Sequence, residues 1–214
     1  MSGIRVTYYG HSCFGVEAGG KNLLFDPFIT ENKMAEHIDV SAIPADYILL
    51  SHAHFDHTKD VFAIAQRTGA TIIANWEIPP GTLTSGYRAR IHEYRRRNFA
   101  FPFGTVKMVY ALHGSSFDDG TYSGTADSYL DTPHSRVLLG DTALHYDMKL
   151  LGKHLEIDFA FLPIGDNYTM GVDDALIASK YIKCDNIIGM HFDTVPFIRI
   201  DKDEAVRNFK TGTN

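Results

Sequence analysis

With 214 residues, 44% of them apolar, the chain is long enough to bury one sizeable core, and one domain over residues 1–214 is the expectation. A formal net charge of −6 without an acidic or basic tail argues against a general nucleic-acid or membrane-surface binder, and no run of about 18 apolar residues is present to span a bilayer. Cys13 and Cys184 stand far apart and outside any metal-type spacing, and the N-terminus reads as a strand rather than a signal peptide, so a cytoplasmic location with free thiols is expected.

In chain order, Ile4–Tyr9, Ser12–Glu17 and Asn22–Phe25 alternate in the manner of strands. Gly10-His11-Ser12 separates the first two, and Ala18-Gly19-Gly20-Lys21 supplies a hairpin turn. Asp26-Pro27-Phe28 stops the third, because proline cannot donate to a ladder. Residues 29–45 show little periodicity and read as a long loop. Tyr47–Leu50 is an apolar strand running into His52-Ala53-His54-Phe55-Asp56-His57; beyond it, Val61, Ile64 and Ala65 mark a helix face that closes at Gly69. Ala70–Ala74 is a buried strand. From Asn75 to Gly104 the pattern weakens: Pro79-Pro80-Gly81 bars a helix, and Arg88, Arg90, Arg95, Arg96 and Arg97 cluster. That cluster reads first as a solvated face and second as a rim steering an anion.

Val106–Leu112 is a strand ending at His113, and Tyr122–Leu130 a strand crossing the core. Arg136–Leu139 runs into Gly140-Asp141-Thr142. A short helix covers Tyr146–Leu151, and the strand Asp158–Leu162 stops at Pro163-Ile164-Gly165. Asp173 and Asp174 suit the first turn of a helix through Lys183, where their charge complements the helix dipole. Asn186–Met190 is the last strand, running into His191, and Asp203–Phe209 a final helix. Strands first, then alternating strands and helices, predict an α+β fold of packed sheets with helices outside.

Four metal-ligating side chains within six residues, His52, His54, Asp56 and His57, are hard to explain without a cation. His113, Asp141 and His191 also follow strands, so all seven groups converge on one sheet edge. In this order the motifs resemble the ligand set of the metallo-β-lactamase superfamily. Tyr9-Gly10-His11-Ser12, Phe25-Asp26-Pro27-Phe28, the run from Pro163 to Gly171, and His191-Phe192-Asp193-Thr194 resemble one branch of it, the bacterial metal-dependent hydrolases related to ascorbate-6-phosphate lactonase.

The resemblance covers nearly the whole chain and implies a four-layer αβ/βα sandwich, two packed mixed sheets with helices outside. It implies two divalent ions: His52, His54 and His113 hold the first, Asp56, His57 and His191 the second, and Asp141 bridges them. Three neutral imidazoles favour Zn²⁺, while the carboxylates leave Mn²⁺ or Fe²⁺ open. Neither cysteine falls at a ligand position, unlike the branches that hydrolyse β-lactams. The implied activity is a dinuclear hydrolase using a metal-bridging hydroxide on a small anionic ester, lactone or phosphodiester.

Within that scheme Asp56 helps orient the nucleophile, and His11 protonates a leaving group or binds substrate. Asp26 and Thr142 are the expected orienting partners behind the ligands, and Asn167, Tyr168 and Thr169 the expected substrate contacts. Ser115, and Thr142 as its second reading, are expected to set loop geometry. His37, His92, His134, His145 and His154 have no supporting pattern and read as surface residues. The expected partner is a small molecule, not a membrane or nucleic acid, with a homo-oligomer left open. Two alternatives stand beside this: a nuclease or phosphodiesterase on nucleic acid, suggested by the arginines, and a non-catalytic metal-binding protein on the same fold. Two departures from the family pattern limit the transfer. Tyr94-Arg95-Arg96-Arg97-Asn98 stands where a glycine-bearing segment is expected, so no roles carry over between Pro79 and Gly104. The sequence ends at Asn214 where another strand is expected, leaving a sheet edge open or covered by a neighbouring chain.

Overall fold

The computed structural model describes residues 4–78, 99–125, 129–131 and 136–212. The first half builds a five-stranded sheet in the order β1 (Arg5–Gly10), β2 (Cys13–Ala18), β3 (Lys21–Phe25), β4 (Tyr47–Leu49) and β5 (Thr71–Ile73). Gly19 and Gly20, at φ 57° and 72°, close the β2–β3 hairpin, whose register runs from Ala18↔Lys21 to Phe14↔Phe25. From β3 onward the pairings are parallel, with α1 (Phe55–Thr58) and α2 (Val61–Thr68) carrying the chain from β4 to β5.

The second half builds a six-stranded sheet in the order β11 (Ile187–Met190), β10 (Phe159–Pro163), β9 (Arg136–Leu139), β8 (Tyr129–Asp131), β7 (Gly104–Lys107) and β6 (Phe99–Phe101). It is antiparallel from β6 to β9 and parallel from β9 to β11. Helices α3 (Met148–His154) and α4 (Val172–Ile182) make the parallel crossovers, and α5 (Lys202–Gly212) follows β11.

Period-two alternation in the buried strands creates the layers, since successive side chains point to opposite faces. Ile48 and Leu50 join Val61, Ile64 and Ala65 of α2, whereas Leu49 between them faces the other sheet with Phe14, Phe25 and Ile73. On β10, Ala160 and Leu162 lie with Ala175, Ala178 and Ile182 of α4, while Phe161 meets Phe14 across the sheets at 4.4 Å between ring centroids. The result is the expected αβ/βα sandwich. Among the described residues no helix is long and apolar enough to cross a membrane.

Several expected elements differ. The histidine motif itself forms a one-turn helix, α1, which carries Asp56 and His57. Residues 29–45 contain two 3₁₀ turns, Lys33–Ala35 and Val40–Ala42, capped by the side chains of Asn32 and Asp39. Such caps leave no hydrophobic period to read. Strand β7 stops at Lys107; the chain up to His113 is held instead by Leu112, which exchanges bonds with Thr142 Oγ1 and the Ala143 amide. Of the expected strand Tyr122–Leu130, only β8 and a bridge from Ser116 to Tyr122 form among the described residues. Strand β6 was not expected; it pairs with β7 through the turn at Pro102-Phe103. The arginines at 88–97 lie outside the described residues.

Helices α3 and α4 approach closely because Gly152 has no side chain: a Cβ there would lie 2.2 Å from the Tyr181 carbonyl oxygen and 2.8 Å from the Ile182 carbonyl carbon. Gly152→Ala should therefore destabilise the fold by about 1–3 kcal/mol, read as a lowered urea midpoint at unchanged m-value.

Candidate metal centre

The ends of β1, β4, β9 and β11 deliver polar groups to one edge of the sandwich, where the chain bends sharply. His11, Asp26 and His191 leave β1, β3 and β11 in the left-handed backbone region, at φ 55°, 44° and 55°. A non-glycine residue there is strained by on the order of 1–3 kcal/mol and persists only when its surroundings hold it. The holding bonds are present: His191 N–H donates to the His11 carbonyl at 2.9 Å, Tyr8 Oη donates to the same carbonyl at 3.0 Å, and Asp26 N–H donates to Leu49 O at 3.1 Å.

The seven groups singled out in the sequence come together. Donor atoms of His52, His54 and His113 lie within 4.8 Å of one another, as do those of His11, Asp56, His57 and His191, and those of His52, His57 and Asp141. His52 Nε2 is 2.9 Å from His54 Nδ1. Asp141 stands between the sets: its Oδ2 is 3.1 Å from His57 Nε2, 3.0 Å from His191 Nε2 and 3.9 Å from His113 Nε2. His52, His57 and Asp141 are fully buried. Asp141 Oδ2 and both ring nitrogens of His57 nevertheless have no hydrogen-bond partner of acceptable geometry. Buried polar atoms left unsatisfied yet aimed at common points are what a bound cation would resolve, and imidazole with carboxylate is a fitting donor set.

Behind these groups lies a set of orienting bonds. Asp26 accepts from Ser51 N–H at 2.8 Å and Ser51 Oγ at 2.7 Å, and its Oδ2 is 3.0 Å from His57 Nδ1. Because Ser51 spends its one proton on Asp26, it accepts from His52 Nδ1 at 2.8 Å, which leaves the His52 Nε2 lone pair facing the centre. Ser12 Oγ donates to Asp141 Oδ1 at 3.3 Å. Ser115 Oγ accepts from Ala53 N–H and donates to Ser123 O, both at 3.2 Å, tying the loop after His113 to the histidine motif.

Thr142 sets loop geometry, the second of its expected roles. Its hydroxyl accepts from Leu112 N–H at 3.1 Å and donates to Ala143 O at 2.7 Å, so it joins two ligand-bearing segments through backbone and touches no ligand side chain. His11 is enclosed beside Asp56. It is 2% exposed, with Nδ1 2.8 Å from Thr194 Oγ1 and Nε2 2.8 Å from Asp56 Oδ2. Asn167, Tyr168 and Thr169 form an exposed turn after β10, anchored where Met170 N–H donates to Thr142 O at 3.1 Å. His145, expected on the surface, is half-buried and edge-on to Tyr110 at 5.5 Å. His37 and His154 are exposed; His92 and His134 lie outside the described residues. Sequence reasoning gave no role to Ser51, Ser12 or Thr194, although Ser51 stands next to the histidine motif and Ser12 and Thr194 lie in the motifs Tyr9–Ser12 and His191–Thr194.

The electrostatics divide the histidines. Burial pushes the pKa of His52, His54 and His113 down, that of His113 to about 4. Burial also opposes charge on His57 and His191, but Asp141 outweighs it, helped by Asp26 and Asp56 at His57 and by Asp56 at His191. His57 rises well above the ordinary range and His191 reaches about 9. Asp141, despite burial, is held well below the usual carboxylate range by His191 and His57. One set of imidazoles is thus neutral while the other holds protons.

The αβ/βα sandwich thus carries at its loop edge a histidine and aspartate donor set suited to divalent cations. A sequence profile of the beta-lactamase superfamily domain matches residues 5–191. A metal-dependent hydrolase of Flavobacterium johnsoniae is 45% identical over 208 residues, covering 96% of this chain and 92% of its own. A metallo hydrolase of the hyperthermophilic archaeon Ignicoccus hospitalis superposes with a TM-score of 0.86 at 28% identity, covering 98% of this chain and 91% of its own. An isothiocyanate hydrolase from Delia radicum gut bacteria, TM-score 0.76 at 20% identity over 97% of this chain and 92% of its own, shares the fold. The chain belongs to the metallo-β-lactamase superfamily.

Raised pKa values on His57 and His191 mean that metal and protons compete. Adding Zn²⁺ to chelated protein at pH 7 should release about two protons from His57 and His191, in addition to any given up by metal-bound water, and about one fewer from the histidines once the pH exceeds the His191 value of about 9. Calorimetry in buffers of different ionisation enthalpy measures this; a proton count near zero at pH 7 would contradict it.

Proposed function

We propose that residues 1–214 form one dinuclear metal-dependent hydrolase domain acting on a small anionic ester, lactone or phosphodiester. The observation that carries this reading is Asp141, whose fully buried Oδ2 lacks a hydrogen-bond partner while facing donor groups from both sets. His52, His54 and His113 would hold one ion, Asp56, His57 and His191 the other, with Asp141 shared. Zn²⁺ is the preferred occupant on ligand type, with Mn²⁺ or Fe²⁺ accepted by the same donors. Divalent ions, when bound, polarise the substrate oxygen and make water acidic enough to react near neutral pH.

The protein's own groups set up that chemistry. Ser51 fixes the ring of His52 so that its Nε2 lone pair points inward, and the Asp26 carboxylate, 3.0 Å from His57 Nδ1, favours charge on that side of the His57 ring. Asp56, with a side chain 34% exposed, is the carboxylate nearest solvent, where it can accept a proton bond from an incoming water and orient it. Two divalent ions set against Asp56 and Asp141 leave the cleft net positive, which favours an anionic substrate and the negative charge that develops on hydrolysis. Resemblance to the branch related to ascorbate-6-phosphate lactonase makes phosphorylated lactones the first substrates to try. Cys13 and Cys184 are both free and buried, in keeping with a reducing cytoplasm.

A panel of carboxylate esters, lactones, phosphodiesters and nucleic acid, with metals counted in parallel, tests the reading. Asp141→Ala and His54→Ala should each lower metal content below two per chain and cut hydrolysis by on the order of a thousandfold or more, since a metal supplies several kcal/mol of charge stabilisation. Two bound metals with no turnover of any panel member would favour a non-catalytic protein.

A further inference from the structure

We propose that Thr194 and His11 form a relay that fixes the Asp56 carboxylate, making His11 a positioning residue and neither a proton donor to the leaving group nor a metal ligand. The inference rests on the reading of Asp56 as a ligand to the second ion. Ser51 stands behind His52, Asp26 behind His57 and Ser12 behind Asp141. Asp56 needs such a partner most. It sits on α1, a single turn of four residues that cannot orient a side chain by itself, and its carboxylate is open to competing water.

His11 meets that need. Its Nε2 is 2.8 Å from Asp56 Oδ2, against 3.5 Å for His191 Nε2 and 3.9 Å for His57 Nε2. The imidazole itself cannot drift. Thr194 Oγ1 is 2.8 Å from Nδ1, the Phe28 ring lies edge-on at 5.5 Å between centroids, and the His11 carbonyl is gripped by Tyr8 Oη and His191 N–H. An ionised Asp56 only accepts, so Nε2 of His11 carries the proton. Nδ1 of a neutral ring is then an acceptor, and the Thr194 hydroxyl gives its one proton to it at 2.8 Å rather than to the more distant Phe192 carbonyl at 3.3 Å. Thr194 thereby selects the tautomer that can hold Asp56, across 183 positions of sequence. With both nitrogens engaged and the side chain 3% exposed, His11 has no free group to offer a substrate.

The test uses two substitutions that keep opposite halves of the ring. Glutamine places an N–H where Nε2 was; asparagine replaces only Nδ1, but suits the left-handed backbone at φ 55° better. Wild type, His11→Gln, His11→Asn and Thr194→Val are reconstituted with Co²⁺ or Zn²⁺. Metals are counted by mass spectrometry, second-ion affinity is measured by chelator competition, the Co²⁺ absorption is recorded, and metal-free stability is measured in urea. Second-ion affinity should stay within about threefold of wild type in His11→Gln, fall about 10–100-fold in His11→Asn and fall about three- to tenfold in Thr194→Val. Metal-free stability should rank His11→Asn above His11→Gln, opposite to the affinities; a purely structural His11 would give the same order in both. Unchanged affinity in Thr194→Val and His11→Asn overturns the relay. Loss of the second ion in His11→Gln, with a changed Co²⁺ spectrum, makes His11 a ligand and also overturns it. Thr194→Val, nearly isosteric, decides the matter if the His11 variants do not fold. Fewer than two ions in wild type refutes the dinuclear reading itself and the relay with it, whereas two ions in wild type with second-ion affinity unchanged in every variant refute the relay alone.

Discussion

Everything at the centre depends on one buried carboxylate. Asp141 is fully enclosed, with His57 and His191 approaching one oxygen and Ser12 the other. A carboxylate so placed costs several kcal/mol to desolvate and is tolerated only with compensating charge. His57 comes from the first half of the chain and His191 from the end of the second sheet, so the compensation for Asp141 draws the two sheets' loop edges together. In the metal-free protein protons on the two histidines supply it; under the proposed function cations take that place.

The scaffold positions these groups by simple means. Strands end at a common edge, and residues in the left-handed region turn the chain so that side chains point inward instead of continuing the pleat. Gly165 allows the closest approach: a Cβ there would lie 2.1 Å from the His191 carbonyl oxygen, so a larger residue would displace the last ligand-bearing turn. The bends are strained individually and held collectively, by bonds such as His191 N–H to His11 O that join the first strand's end to the last. Under the proposed function, a set of donor groups on strand ends, backed by hydroxyls and a carboxylate, would meet a cation with its side chains already oriented.

Legibility varied with the range of the contacts involved. His52, His54, Asp56 and His57 stand within six residues after an apolar strand, and His113, Asp141 and His191 each follow an extended run, so their convergence could be read locally. Of the two roles expected of Thr142, the bonds to the Leu112 and Ala143 backbone match the setting of loop geometry, because a side chain next to Asp141 in sequence points into the neighbouring backbone. Strand β6 and the one-turn helix α1 carry too few residues for a period to emerge. His145 gave no sign of its burial against Tyr110, which depends on a neighbour 35 positions earlier, 145 less 110.

By itself the sequence determined the alternation that layers the sandwich and the identity and order of the groups at its edge, because both are written in neighbouring residues. Tertiary structure alone decided which groups share a point in space, which hydroxyl backs which ring, and that His11 faces inward between Thr194 and Asp56. Those bonds join residues 45 and 183 positions apart, and no local rule of spacing or propensity reaches that far.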